Sequence, residues 1–355
     1  MPSATLHAGA ERSSNIGDAT VPRTASAPVG YVTFAATDSI ELTELLRDWH
    51  FEFAQLKPGS FGADGAVLDL GGVSAARLVT NRTLAQRGYA PRDMAAVFLR
   101  GAGSGQVFAS GQLVGTGECV TLAEGEPLEG ITHGNYLEFG FGFDMNACRA
   151  QMDALNGGSL GLAPGATIAA PGPTWLDDMV ARVKWLLASA LEHSDSLGKD
   201  DVRASLSDHV LAAMARFDSS PADIDATTRA ARANRRVAVR LAREFIHSRL
   251  SEPLRLSALC RHARLKIRSL EYGFREVTGL TPVAYIRSLR LNAVRRALQQ
   301  NAGAQSRSIS VIAMDAGFWH LSQFAMDYRR YFGETPTETR RRSLARACGP
   351  APATS

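Results

Sequence analysis

Between Gly59 and Gly172 the chain alternates short apolar runs with glycine, and 22 of its 32 glycines fall there. Ala66–Leu70, Ala95–Leu99, Cys119–Leu122 and Tyr136–Phe143 are the runs, too short for helices and set at roughly even spacing, which predicts strands of a β-barrel or sandwich. In the last of them Leu137, Phe139, Phe141 and Phe143 alternate with Gly140 and Gly142, the period of a strand with one apolar face. Ahead of this region, Ser39 to His50 carries Ile40, Leu42, Leu45 and Leu46 at helical spacing. From Thr174 the period changes to 3.6. Leu176–Leu191 places Met179, Val183, Leu186, Leu187 and Leu191 on one side, and Val202–Phe217 does the same with Leu206, Val210, Leu211 and Met214.

The polar, proline-containing stretch Asp218–Thr228 reads as a linker. Beyond it about seven helices follow, and within them a repeat. Phe274–Pro282 (FREVTGLTP) matches Tyr328–Pro336 (YRRYFGETP), and upstream Leu259–Cys260 corresponds to Ile312–Ala313, and Ala263–Arg264 to Ala316–Gly317. Each copy has the logic of two helices joined by a tight turn. Cys260 and Ala313 are small where the helices cross. Gly317 suits a left-handed turn residue, whereas Arg264 in that conformation costs ~1 kcal/mol. Leu270 with Phe274, and Phe324 with Tyr328, are i, i+4 pairs that share one face and leave the opposite face outward. Gly279 and Gly333 end the second helices, with Pro282 and Pro336 three residues on. Pro282–Gln300 predicts a long connecting helix bearing Arg287, Arg290, Arg295 and Arg296.

Charge sharpens this division. The net charge of +4 averages two unlike regions: Arg229–Arg346 holds 24 Lys/Arg against 8 Asp/Glu, and the remainder 15 against 27. A basic block rich in arginine points to a polyanion partner. The four cysteines, Cys119, Cys148, Cys260 and Cys348, form no close pair, which argues against a disulfide framework or zinc site. No secretory signal is visible in the first 30 residues, which read as a polar tail. The uncharged stretch Ala154–Leu176 holds five glycines and three prolines and reads as a loop rather than a membrane span. The expectation is a cytoplasmic protein with no membrane partner.

The motifs LSALCRHARLKIRSLEYGF, PVAYIRSLRLNAVRRAL and ISVIAMDAGFWHLSQFAMDYRRYFGETP resemble the AraC/XylS family of transcription regulators over Arg229–Arg342, and the GFWH–QFA–DY run is similar to its ethanolamine-operon regulator branch. The resemblance implies two helix-turn-helix units whose second helices read bases in successive major grooves. Carried onto matching positions, it implies Arg268, Glu271 and Tyr272 in the first reader, and Leu321, Ser322, Gln323 and Met326 in the second. Glu271 and Tyr272 stand where the family often has Gln and Arg. Against these roles stand the plainer ones, Met326 packing inward and Tyr272 lying on the protein surface. Trp319 and His320 are expected to position the second helix rather than touch DNA.

Enzyme chemistry finds little purchase. His133 is the only histidine between Phe51 and Leu191, so a metal-binding barrel lacks clustered ligands. No GxSxG, P-loop or HExxH is present. A reactive alkyl-accepting cysteine needs basic neighbours, and Arg149 beside Cys148 is the nearest approach. The reading is therefore an α+β multidomain chain with no catalytic residues, no metal and no cofactor. It runs as a tail (1–30), a cupin-like β-barrel sensor domain (31–173), a helical dimerisation segment (174–217), a linker (218–228), an all-α AraC-type DNA-binding domain (229–342) and a second tail (343–355). The N-terminal region also resembles the sensor domains of the same family, which implies small-molecule binding and dimerisation. On that resemblance Arg77, Phe98, His133, Tyr136 and Phe139 are candidate lining residues for an effector pocket, their plainer reading being ordinary core or surface. The partners implied are double-stranded promoter DNA, RNA polymerase, a small-molecule effector and a second copy of the chain. The rival is a metabolite-binding protein or barrel enzyme with a basic tail that sits on nucleic acid.

Overall fold

The computed structural model describes residues 30–123, 125, 127–156, 160, 162, 165–217, 226–300 and 307–347. Of the tails expected at 1–30 and 343–355, residues 1–29 and 348–355 lie outside them, as do residues 218–225 of the linker expected at 218–228. Two compact units emerge. Among the described residues, the first contains those of 30–53 and 62–230, the second those of 54–61 and 231–347.

Among the described residues twelve strands form two antiparallel sheets, all within the first unit except Ala54 and Gln55 at the end of β2, the architecture expected from the glycine-punctuated runs. The larger sheet has the order β1 (Tyr31–Ala36), β3 (Ala63–Asp69), β4 (Val73–Thr80), β11 (Tyr136–Asp144), β6 (Met94–Arg100), β9 (Cys119–Leu122) and β12 (Ala166–Ala169). The smaller has β2 (Glu52–Gln55), β5 (Leu84–Tyr89), β10 (Pro127–Thr132), β7 (Val107–Ala109) and β8 (Gln112–Val114). The stretch Ala154–Leu176, read as a loop, contains β12, whose Ala166–Ala169 pairs with Leu122–Cys119 at the sheet edge. Glycine and proline around it hid a strand of only four residues.

Strand alternation decides which side chains meet which layer. On β11 the Phe139, Phe141 and Phe143 row packs into a core with Met179, Val183 and Leu186 of α3 (Pro173–Glu192) and Val210, Leu211 and Met214 of α5 (Asp200–Met214). The small α2 (Arg149–Asn156) and α4 (Ser194–Leu197) lie between these in sequence. The helical segment 174–217 thus packs onto the core of the first unit. The other face of β11 presents Tyr136, Glu138, Gly140 and Gly142 to a cavity between the sheets. Helix α1 (Ser39–Leu45) starts on Asp38, whose carboxylate accepts from the Ile40 and Glu41 amides, and a 3-10 turn (Arg47–Trp49) follows it.

The second unit is helical: α6 (Ala226–Ser248, its first residues counted with the first unit), α7 (Leu256–Ala263), α8 (Ile267–Thr278), α9 (Pro282–Gln300), α10 (Ile309–Asp315), α11 (Leu321–Phe332) and α12 (Pro336–Ala347). Helix α12 runs through Ala347, so residues 343–347, read as tail, are helical. Residues 54–61 join this unit through side chains buried against α9 and α11. Asn292 accepts from the Gln55 amide (3.1 Å) and donates to the Gln55 carbonyl (2.8 Å), in the manner of a neighbouring strand. The Tyr331 hydroxyl also donates to that carbonyl (2.8 Å), and the Gly59 amide donates to the Tyr331 carbonyl (3.0 Å). The sequence signals no such partnership, because it joins positions far apart without a local pattern.

Candidate nucleic-acid interface

The repeat read from the sequence is a repeat of backbone hydrogen bonds. In the first copy the Leu265 amide donates to the Cys260 carbonyl (3.0 Å), and in the second Phe318 donates to Ala313 at the same distance. The residue before each donor is left-handed: Arg264 at φ +52° and Gly317 at φ +86°. A side chain at Arg264 is therefore held where glycine is preferred, with the cost anticipated above. At Gly317 a Cβ would stand 2.7 Å from the Arg290 guanidinium carbon, so that position needs glycine on two counts. Gly279 (φ +70°) and Gly333 (φ +77°) close α8 and α11 by accepting the left-handed cap, their amides donating to Arg275 and Arg329.

Facing follows from burial. Leu270, Phe274 and Val277 of α8 are buried, as are Phe324, Tyr328 and Tyr331 of α11. Phe274 meets Tyr285 edge-on at 5.6 Å, and the Tyr285 hydroxyl accepts from the buried Arg243. A Cβ on Gly273 would stand 2.6 Å from Val239, so α8 lies tightly on α6. Tyr328 shares a hydrogen bond with Thr339 of α12 (2.9 Å).

These contacts leave the expected readers outward. Arg268 is exposed near the start of α8, with Tyr272 one turn on and 59% exposed. Tyr272 lies under the Arg235 guanidinium, 4.8 Å from the ring centre, and Glu271 faces Arg275 at 3.6 Å. On α11 Leu321, Ser322 and Gln323 are exposed, and Met326 is 60% exposed rather than packed inward. Gln323 donates to Asp327 (3.1 Å), so engaging a base with both amide atoms requires it to release that carboxylate. Asp327 itself is buried and also holds Arg287 and Arg330.

Trp319, expected to position α11, is 64% exposed just ahead of that helix. Arg290, counted among the basic residues of the connector, is spent inside the protein. Its guanidinium donates to the carbonyls of Leu250 (3.0 Å), Glu252 (2.6 Å) and Gly317 (3.1 Å), bracing the second turn. Arg295 is likewise paired with the buried Glu334 (2.8 Å). The +16 of this block thus overstates the charge free to meet phosphate.

Residues 259–342 match the helix-turn-helix domain family. The C-terminal unit is an AraC-type helix-turn-helix domain. Over 96 residues the chain is 41% identical to XylDLEGF operon transcriptional activator 2 of Pseudomonas putida, covering 27% of this chain and 60% of that protein. It is 30% identical over 102 residues to the transcriptional activator RhaS of Pectobacterium carotovorum, covering 29% of this chain and 35% of that protein. Among solved structures, an AraC-type regulator from Chromobacterium violaceum is 31% identical over 31% of this chain and 96% of its own, with a TM-score of 0.29. The AraC-like activator CuxR covers 80% of this chain and all of its own at 18% identity and a TM-score of 0.36. The chain therefore spans less than two thirds of the curated relatives named, and the likeness to them lies in the DNA-binding unit.

The first unit offers no catalytic arrangement in its thiols. Burial pushes both Cys119 and Cys148 up to about 12, and Cys148 donates to the Gly72 carbonyl, so neither presents a thiolate near neutral pH. Of the candidate pocket residues, Phe98 and Tyr136 line the cavity between the sheets. Arg77 and Phe139 fall on the opposite strand face, Arg77 pairing with Asp64, and His133 packs edge-on to Phe108 at 5.8 Å. Among the described residues no helix is long and apolar enough to cross a membrane, and no group of His, Cys, Asp and Glu could hold a metal.

Proposed function

We propose that the chain is a sequence-specific transcription regulator, an activator, that binds double-stranded promoter DNA through α8 and α11. The observation that carries this reading is the outward row on each second helix of the AraC-type unit: Arg268, Glu271 and Tyr272 on one, Leu321, Ser322, Gln323 and Met326 on the other, each opposite a buried anchor pair. Arg268 suits a forked contact with guanine, and Leu321 and Met326 suit thymine methyl groups. The protein acts in the cytoplasm, as a homodimer, and works on RNA polymerase. Supporting the dimer, α3 exposes Trp185 and Leu191 although its opposite side is core. The first unit senses a small effector in the cavity between its sheets.

Competition binding tests the DNA reading. The full chain on its own promoter should resist excess random DNA by orders of magnitude. Release by random DNA at equal concentration would instead make the basic unit a general polyanion binder attached to a metabolite-binding or enzymatic barrel. Sedimentation of Trp185→Asp tests the dimer, which should shift to monomer with unchanged helix content.

A further inference from the structure

The cavity between the two sheets is lined by aliphatic side chains together with aromatic rings, among them Phe34, Trp49, Phe51, Phe53 and Phe98. Its polar groups are few, and their bonding is uneven. The Tyr136 hydroxyl already donates to Glu138 Oε2 (2.6 Å). Gln86 lies across Gly130, where a Cβ would stand 2.5 Å from its Nε2. Trp49 is 5% exposed, held edge-on against Phe98 with centroids 6.2 Å apart, and its Nε1–H finds no acceptor among the described residues. A buried donor left unmatched is costly, and an acceptor supplied from outside removes that cost.

Charge narrows the class of molecule that could supply it. Arg100 and Glu138 are directly opposed on β6 and β11 and both line the cavity, a cation beside an acid. Burial raises the Glu138 carboxyl to about 7, the Tyr136 hydrogen bond opposing that rise. An anionic guest would be repelled by an ionised Glu138 and a cationic one by Arg100, whereas an uncharged guest meets neither repulsion. Aromatic walls favour a flat apolar body.

We propose that this cavity binds an uncharged, ring-sized apolar molecule carrying a carbonyl-type acceptor, which takes the Trp49 Nε1–H. This rests on the sensor reading above and names the class of its effector.

The test uses the full chain with 15N-labelled indoles and three probes of similar size. Acetophenone offers ring and acceptor, ethylbenzene the ring alone, and benzoate an anion. The expected result is a downfield shift of the Trp49 indole N–H with acetophenone, and affinity about tenfold above that for ethylbenzene and for benzoate at pH 8. Trp49→Phe keeps an aromatic wall and should abolish the preference for the ketone, leaving ethylbenzene affinity within about twofold. Equal binding of acetophenone and ethylbenzene to the unaltered protein would overturn the proposal. Tightest binding by benzoate, with the indole moving, would overturn the neutral class and leave the sensor reading intact. If none of the three entered, the class would again fall. The sensor reading would fall with it only if promoter output also ignored a cavity-filling Ala96→Leu whose melting temperature is unchanged.

Discussion

In the first helix-turn-helix copy the turn is made by an arginine at φ +52°, and in the second by a glycine pressed against the Arg290 guanidinium. The first copy turns charged and aromatic groups outward from α8; the second turns Leu321, Ser322, Gln323 and Met326 outward from α11 and buries a carboxylate, Asp327, beneath them. The helix after the second copy begins with a capping box, Thr335 and Glu338 exchanging bonds with each other's amides. The helix after the first has Thr281 alone, with alanine at position 284. One backbone plan therefore carries two chemistries. What is repeated is the set of buried anchors and hydrogen-bonded turns; what varies is what faces outward and how each turn is braced.

The comparison can be broken most decisively at the anchors. Phe274→Ala and Tyr328→Ala should each cost ~3–5 kcal/mol in denaturant unfolding, the tyrosine more because its bond to Thr339 also goes. A small change at either position would mean that helix faces another way. Next comes the outward chemistry. Arg268→Ala should cost ~1–3 kcal/mol on the cognate promoter and relax selection at one or two base pairs. Leu321→Ala should cost under ~1 kcal/mol there, so equal losses for both, in salt-controlled titrations, would contradict the division of labour.

The turns give a smaller effect of opposite sign. Gly317→Ala should destabilise by more than ~1 kcal/mol, whereas Arg264→Gly should stabilise by up to ~1 kcal/mol. Thermal melting that fell for both would show that Arg264 carries a compensating contact. The smallest effect is at the capping box. Bonds from Thr335 hold the exposed Glu338 carboxyl below its ordinary value, so its contribution is present above the unfolded value and fades as pH falls through the folded one. Glu338→Ala should thus lower stability at neutral pH and match the unaltered protein in acid. A difference that persisted in acid would mean the residue acts by packing.

Much of this was legible in the sequence because it is local. Gly279, Gly333 and the i, i+4 pairs are turn and face signals set within a few residues, and they placed both second helices and their outward rows. Alternation on β11 announces a two-faced strand but cannot say which face meets helices, so the pocket candidates fall on both faces: Tyr136 lines the cavity, as expected, with Glu138 beside it, whereas Phe139 packs into the helix-covered core. The roles of Arg290 and Asp327 depend on partners from other elements, and nothing nearby in sequence distinguishes a spent arginine from one on offer.

The second unit is discontinuous along the gene. Residues 54–61 leave the ribosome long before Asn292 and Tyr331, the side chains that will bind Gln55, have been made. During synthesis the segment must stay uncommitted while the first unit assembles around it in sequence. The same geometry sets a rule for transplantation: a DNA reader cut at the linker would carry away the lock without its key. A chimera built to move this unit onto another N-terminal domain needs the eight residues supplied as well.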